Sequence, residues 1–247
     1  EQHRFGVHQR LALTEKGEDG DARPHQLVMT ATPIPRTLAM ASYADLDTSV
    51  IDELPPGRGR VTTVAIPDGR RAEVIARVRQ ACSDGRQAYW VCPLIEESEL
   101  LQYQAAEDTA RMLSAALPEL RVGLVHGRMK PREKESVMHR FKLAEVDLLV
   151  ATTVIEVGVD VPNASLMIIE NAERMGLAQL HQLRGRVGRG REDASCVLMY
   201  HPPLGQGAER RLRTMRETTD GFLIAEEDLR LRGPGEVLGT RQTGMMQ

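Results

Sequence analysis

The segment HQLRGRVGRG, residues 181–190, sets three arginines and three glycines in ten positions. Arginine carries a planar fork of donors that stays charged, a shape that suits a phosphate better than the point charge of lysine does. Read as a helix, Gln182, Arg186 and Arg189 fall at i, i+4 and i+7 and share one face, whereas Arg184 points elsewhere. Gly185 and Gly188 inside that helix would each cost about 1 kcal/mol relative to alanine, so close approach of another surface is the expected reason for them. A solvated basic helix is the plainer reading, and other segments have to decide.

Three further stretches carry residue types that could do chemistry. In TATPIPRT, Thr30 and Thr32 sit in a loop after a short buried strand predicted at Gln26–Met29, and Pro33 and Pro35 stiffen its exit. Their hydroxyls are available to a ligand or could simply cap backbone groups. In VDLLVATTVIEVGVDVP, Thr152 and Thr153 lie at the carboxyl edge of a strand, and Glu156, Gly158 and Asp160 follow at spacings of two among valines and isoleucines. Acids inside an apolar run need cations or donors nearby, and the arginines of 181–190 are the expected partners; a surface strand accounts for the valines but not for both acids. In LVHGRMKPREKE, His126 and Gly127 end a strand and precede a helix, with Arg128 and Lys130 placed to meet a phosphate backbone. A charged helix start fits those residues equally.

Composition bounds what such groups can serve. The chain has 247 residues, 41% of them hydrophobic, enough for a real core. A net charge of -3 excludes a globally basic nucleic-acid binder but allows a local basic groove. Aromatic content of 3% makes stacking platforms scarce, so contacts to a nucleic-acid backbone would dominate. Cys82, Cys92 and Cys196 stand at wide spacings without a CxxC pair, which argues against zinc and disulfides and fits a reducing cytoplasm. No apolar run approaches the roughly 20 residues that span a bilayer. The opening EQHRFGV, without an initiator methionine, reads as the start of a fragment.

The elements that must position these groups alternate from Val61 onward. VTTVAIP, QAYWVCPLI, RVGLVHG, VDLLVAT, ASLMIIEN and ASCVLMYH read as strands, and RRAEVIARVRQACSDG, EDTARMLSAALPEL and KPREKESVMHRFKLAE as helices. The first helix is expected to turn Val74, Ile75, Val78 and Ala81 inward and to end at Gly85. Such alternation predicts an α/β fold with a parallel sheet of six or seven strands, helices on both faces, and ligands outside the carboxyl ends of the strands. Ser49–Arg60, with two prolines and two glycines among charges, reads as a linker between an earlier strand–loop–helix unit and this domain.

Taken in order, EQH, TATPIPRT, HGRMKPREKE, ATTVIEVGVDVP and QLHQLRGRVGRG closely resemble the later motifs of superfamily 2 helicases. MTATPIPRTLAMASYADLD, VIDELPPGR and the terminal DGFLIAEEDLRLRGPGEVLGTRQTG make the chain similar to the bacterial fork-remodelling branch of that family. The transcription-repair coupling translocases share the terminal block only in broad form. The resemblance implies residues 1–55 as the end of a first RecA-like domain, 56–205 as a second RecA-like domain, and 206–247 as a helical hairpin and loop that move double-stranded DNA.

It further implies that two such domains sandwich ATP and magnesium. Glu1 matches the glutamate that orients the attacking water, and Gln182, Arg186 and Arg189 match the helix whose arginines touch the phosphates across the cleft. Glu156, Gly158 and Asp160 match the segment linking DNA grip to the nucleotide. Thr30 and Thr32 would couple the two sites; His126, Thr152 and Thr153 would line the DNA track; Arg211, Arg232 and Gln242 would act in the terminal block, which could otherwise be a plain helical cap. The implied activity is that of a monomeric, nucleoid-associated ATP-dependent translocase that remodels stalled replication forks and branch-migrates Holliday junctions in repair and recombination. No GxxxxGK[ST] phosphate loop lies in the 247 residues, so this stretch holds half an ATP site and is expected to be inactive by itself. A stand-alone RecA-like module that binds without catalysis is the alternative; a kinase-like enzyme is disfavoured, because neither a glycine loop nor a metal-binding acidic pair is present.

Overall fold

The computed structural model of the protein describes residues 58–93, 99–152, 161–190 and 193–232, with isolated positions 27, 29, 49, 51 and 53, and with backbone alone at 99–102 and 232. Six strands form one all-parallel sheet: β1 (Val61–Pro67), β2 (Gln87–Val91), β3 (Val122–Val125), β4 (Leu148–Ala151), β5 (Ala164–Ile169) and β6 (Ala194–Tyr200), in the spatial order β1-β6-β5-β2-β4-β3. The helices are α1 (Arg71–Ser83), α2 (Glu99–Ala116), α3 (Pro131–Lys142), α4 (Leu177–Arg184), α5 (Gln206–Glu217) and α6 (Gly221–Arg232).

An all-parallel sheet is stable only with both faces covered, and here each strand splits its side chains between two apolar clusters. Ala88, Trp90 and Cys92 join Leu148, Val150, Leu166 and Ile168 under α1 and α2, whose Val74, Val78, Ala106, Ala110 and Leu113 close that face. Tyr89, Val91, Leu149, Met167 and Ile169 point the other way, against Phe141 of α3, Leu177, Leu180 and Leu183 of α4, Leu212 and Met215 of α5 and Ile224 of α6. Tyr89 and Phe141 meet edge-on with ring centroids 4.9 Å apart. The strands expected from Val61 onward are the ones observed, and they number six among the described residues. Ile75 is half-buried at the rim of its cluster rather than fully inward. Gly85 ends α1 with a φ of 81°, where a β-carbon would be strained.

One expectation changes. Leu27 and Met29, the described positions of the stretch read as a buried strand at 26–29, are 83% and 66% exposed and lie in no strand. Gln26 and Val28 lie outside the described residues. The first part of the terminal block is the two helices α5 and α6. Leu212, Met215 and Ile224 belong to the same apolar cluster as Leu177, Leu180 and Leu183 of α4, so among the described residues α5 and α6 pack on the sheet.

One buried polar side chain staples the sheet to its cover. Gln87, 2% exposed at the start of β2, donates from Nε2 to the carbonyls of Phe141 at 2.6 Å and Val146 at 2.7 Å, on either side of the α3–β4 turn. Its Oε1 accepts from Asn163 Nδ2 at 3.4 Å. Replacing it with leucine keeps the bulk and strands two buried carbonyls, so Gln87→Leu is expected to lower stability by about 2 kcal/mol, read as an earlier urea midpoint with an unchanged m-value.

Candidate functional site

The arginine segment is not one continuous helix. α4 runs only to Arg184, with Leu177, Leu180 and Leu183 buried along its inner side. Gly185 closes it by donating to the His181 carbonyl at 3.0 Å; Arg186 N–H then returns to Leu183 O at 3.0 Å and Val187 N–H to Arg184 O at 3.3 Å. Gly188 turns the chain with a φ of 71°, and a β-carbon there would lie 2.6 Å from Val61 Cγ2. Close approach does justify this glycine, as expected, but as a left-handed turn packed on β1 rather than as a helix interior. The i, i+4, i+7 face therefore does not exist beyond Arg184.

The turn sorts its arginines by burial. Arg184 is 4% exposed, Arg186 is half-buried, and Arg189 is exposed while its Nε donates to Gly185 O at 3.2 Å. The same carbonyl accepts from Arg58 at 3.3 Å. Gly59 N–H reaches Gly190 O at 2.8 Å, and Arg60 O receives Ala194 N–H at 2.8 Å. The end of the stretch read as a linker is thus sewn onto the arginine turn. The sequence carries that only as the glycine and arginine repeat of PPGRGR, too weak a signal to reveal it.

Arg184 reaches away from the turn. Its Nη1 donates to the carbonyls of Met215 and Thr218, both at 2.9 Å, which satisfies the end of α5, and its Nη2 donates to His181 Nδ1 at 3.1 Å. That geometry makes His181 Nδ1 an acceptor and the ring neutral. Burial, then the charges of Arg184 and Arg58, hold the His181 pKa down at about 4 against an ordinary 6.5, with Asp220 opposing them. Asp220 itself caps α6, accepting Phe222 N–H at 2.8 Å.

A second group of polar residues gathers at the carboxyl ends of the strands. Thr152 follows β4, is fully buried, and donates its N–H to Val125 O at 3.2 Å, while its hydroxyl meets no partner among the described residues. His126 follows β3; its Nε2 lies 3.7 Å from Glu107 Oε1, and its buried Nδ1 also lacks a partner among the described residues. Two unsatisfied polar atoms thus end neighbouring strands. Beside them stands a group missed from sequence: Glu170, 8% exposed after β5, accepts the Trp90 indole N–H at 2.6 Å and the Arg71 guanidinium at 2.5 Å on one oxygen. Arg71 also covers the Trp90 ring, 5.6 Å from its centroid. A lone acid closing the apolar run SLMIIE was its available signal.

Of the remaining expected residues, Arg211 on α5 donates to Met175 O at 3.1 Å and Glu173 O at 2.6 Å, bracing α5 against the turn after β5. Arg232 is the last residue of α6. Glu1, Thr30, Thr32, Thr153, Gly158, Asp160 and Gln242, with Glu156, lie outside the described residues. The three cysteines are buried and free. Burial pushes the Cys92 and Cys196 thiols up to about 12 and Cys82 to about 11. Among the described residues no helix is long and apolar enough to cross a membrane.

Neutral His181 has a measurable consequence. The folded state refuses a proton that the unfolded chain takes up near pH 6.5, so stability present at pH 7 is lost as the pH falls from about 6.5 toward about 4. The loss is at most about 3 kcal/mol. His181→Gln retains an acceptor for Arg184 and is expected to flatten the dependence of the urea midpoint on pH across that window.

Residues 72–191 match the helicase conserved C-terminal domain, and residues 218–247 match domain 3, C-terminal, of the ATP-dependent DNA helicase RecG. The chain is 71% identical over its whole length to the RecG helicase of Pasteurella multocida and 72% identical over 99% of its length to that of Escherichia coli K12. It spans about a third of those relatives, 36% and 35% of their lengths. A solved structure of RecG bound to a three-way DNA junction superposes with a TM-score of 0.76 at 49% identity, over 96% of this chain and 30% of that one. The chain belongs to the RecG family of ATP-dependent DNA helicases.

Proposed function

We propose that this chain is the part of an ATP-dependent, double-stranded-DNA translocase that supplies the arginine half of the ATP site and one wall of the DNA track, acting on branched DNA such as stalled forks and Holliday junctions in repair and recombination. The observation that carries it is the glycine-pinned turn after α4. It sends Arg184 inward to hold α5 and leaves Arg189 exposed on a backbone fixed by Val61 and Gly59. An arginine on a rigid, exposed turn is poised for a phosphate presented by another domain. The relative solved on a three-way junction supports branched DNA as the substrate.

In this scheme residues 1–55 complete a first RecA-like domain, 56–205 form the second, and 206–247 form the hairpin and loop. Gln182, Arg186 and Arg189 face the nucleotide; Glu1 orients the attacking water; Gly158 and Asp160 relay between the sites. ATP, bound with magnesium, supplies the phosphoryl group whose charge the arginines stabilise as it transfers. Magnesium would be held by the acidic motif of the first RecA-like domain, to which Glu1 belongs. Thr30, Thr32, His126, Thr152 and Thr153 line or couple the DNA track, the unsatisfied atoms of His126 and Thr152 supporting that placement. Arg211, Arg232 and Gln242 transmit closure to the DNA, in a monomer working at the nucleoid.

The test is a full-length protein carrying Arg189→Ala, assayed for DNA-stimulated ATP hydrolysis and for binding to a branched duplex. Turnover is expected to fall by about 10³ or more with binding retained, the size typical of an arginine acting on a transferred phosphoryl group. Loss of DNA binding with turnover spared would instead make the segment a basic DNA contact and overturn the assignment.

A further inference from the structure

The turn after β3 is gripped from two sides in a way that the nucleotide chemistry does not use. His126 to Met129 is a closed turn, with Met129 N–H on His126 O at 3.2 Å. From α3, Lys134 Nζ donates to Gly127 O at 2.6 Å. From α2, Tyr103 and Glu107, four residues apart and therefore on one helix face, meet the same turn. Tyr103 lies against His126 with ring centroids 5.2 Å apart, and its hydroxyl approaches Gly127 so closely that a β-carbon there would be 2.7 Å away. Glu107 faces His126 at 3.7 Å.

On the outer side of Tyr103 sits Arg128. Its guanidinium carbon is 5.8 Å from the ring centroid, within the range of a cation–π contact, and the residue is exposed. Among the described residues Arg128 makes no ion pair and donates no hydrogen bond, so its donors are open to a ligand while its guanidinium lies over the ring. Exposed Lys130 and Arg132 follow it, also without ion pairs among the described residues. Stacking removes rotamer freedom from the guanidinium before any ligand arrives, which lowers the entropy lost on binding. The chain has only eight aromatic side chains (one Trp, four Tyr, three Phe), and one of them stands at this strand end under an arginine.

We propose that Tyr103 is a positioning residue that holds Arg128 as a phosphodiester contact, a backbone-phosphate site at the end of β3. This rests on the functional reading above and deepens it: the site accepts one phosphate of a DNA strand, is indifferent to base sequence, and depends on the ring face of Tyr103, not on its hydroxyl.

The experiment uses the full-length protein and a branched duplex, with affinity measured across a salt series for Tyr103→Ala, Arg128→Ala, the double variant and Tyr103→Phe. Arg128→Ala and Tyr103→Ala are each expected to weaken binding about 3-fold or more and to reduce the slope of log affinity against log salt by about 0.9, one phosphate's share. The double variant is expected to be no weaker than Arg128→Ala, and Tyr103→Phe to match the parent. Should Tyr103→Ala fold poorly, Tyr103→Leu keeps the apolar bulk without the ring face and is expected to give the same slope. An unchanged slope in either single variant, additive losses in the double, or a Tyr103→Phe as weak as Tyr103→Ala would overturn the proposal, since a merely structural tyrosine leaves the number of phosphate contacts alone. If the parent fails to bind branched DNA, the functional reading falls first.

Discussion

A guanidinium with 4% of its residue exposed must find acceptors inside the protein, and Arg184 finds them in the carbonyls of Met215 and Thr218. Much of the site follows from that constraint. Arg184 is the last residue of α4, and the chain passes from it into the turn. Because α5 ends on Arg184, the terminal helices cannot separate from the sheet without leaving a buried charge unpaired, a far larger penalty than that of breaking a surface pair. His181 is drawn into the same cluster and kept neutral by it.

The periodic part of this architecture was legible in the sequence. β1 was read at its observed limits from VTTVAIP, and the alternation of strands with helices was enough for a parallel sheet covered on both faces. The arginine-rich segment was legible as chemistry but not as geometry. Helical spacing in HQLRGRVGRG is a property of any ten residues, whereas the break at Gly185 and the left-handed Gly188 come from Val61 and Gly59, which are distant in sequence. Arg184 and Arg189 are indistinguishable as letters; one becomes a buried brace and the other an exposed donor because of what packs against each.

The polar residues at the strand ends were legible unevenly for a related reason. His126 and Thr152 stood out because each directly follows an apolar run, so a strand end could be inferred from them. Glu170 follows such a run too, yet its meaning depends on Trp90 and Arg71, which approach it from β2 and α1. Tyr103 gave no signal, since it precedes EDTARMLSAALPEL, the stretch read as the helix; only the fold, which starts α2 at Glu99, brings it beneath Arg128.

The order of the sheet also bears on how the protein is made. Among the described residues β1 pairs only with β6, and Val61 sits opposite Ala194, 133 residues later in the chain (194 minus 61). At a bacterial elongation rate, about 10 s pass on the ribosome between synthesis of the two strands. Through that interval β1 waits without a ladder while β2 to β5 can already assemble, so the nascent chain carries an unpaired apolar strand ahead of a nearly complete sheet. The turn bearing the arginines, packed on Val61, becomes native only when that last pairing closes.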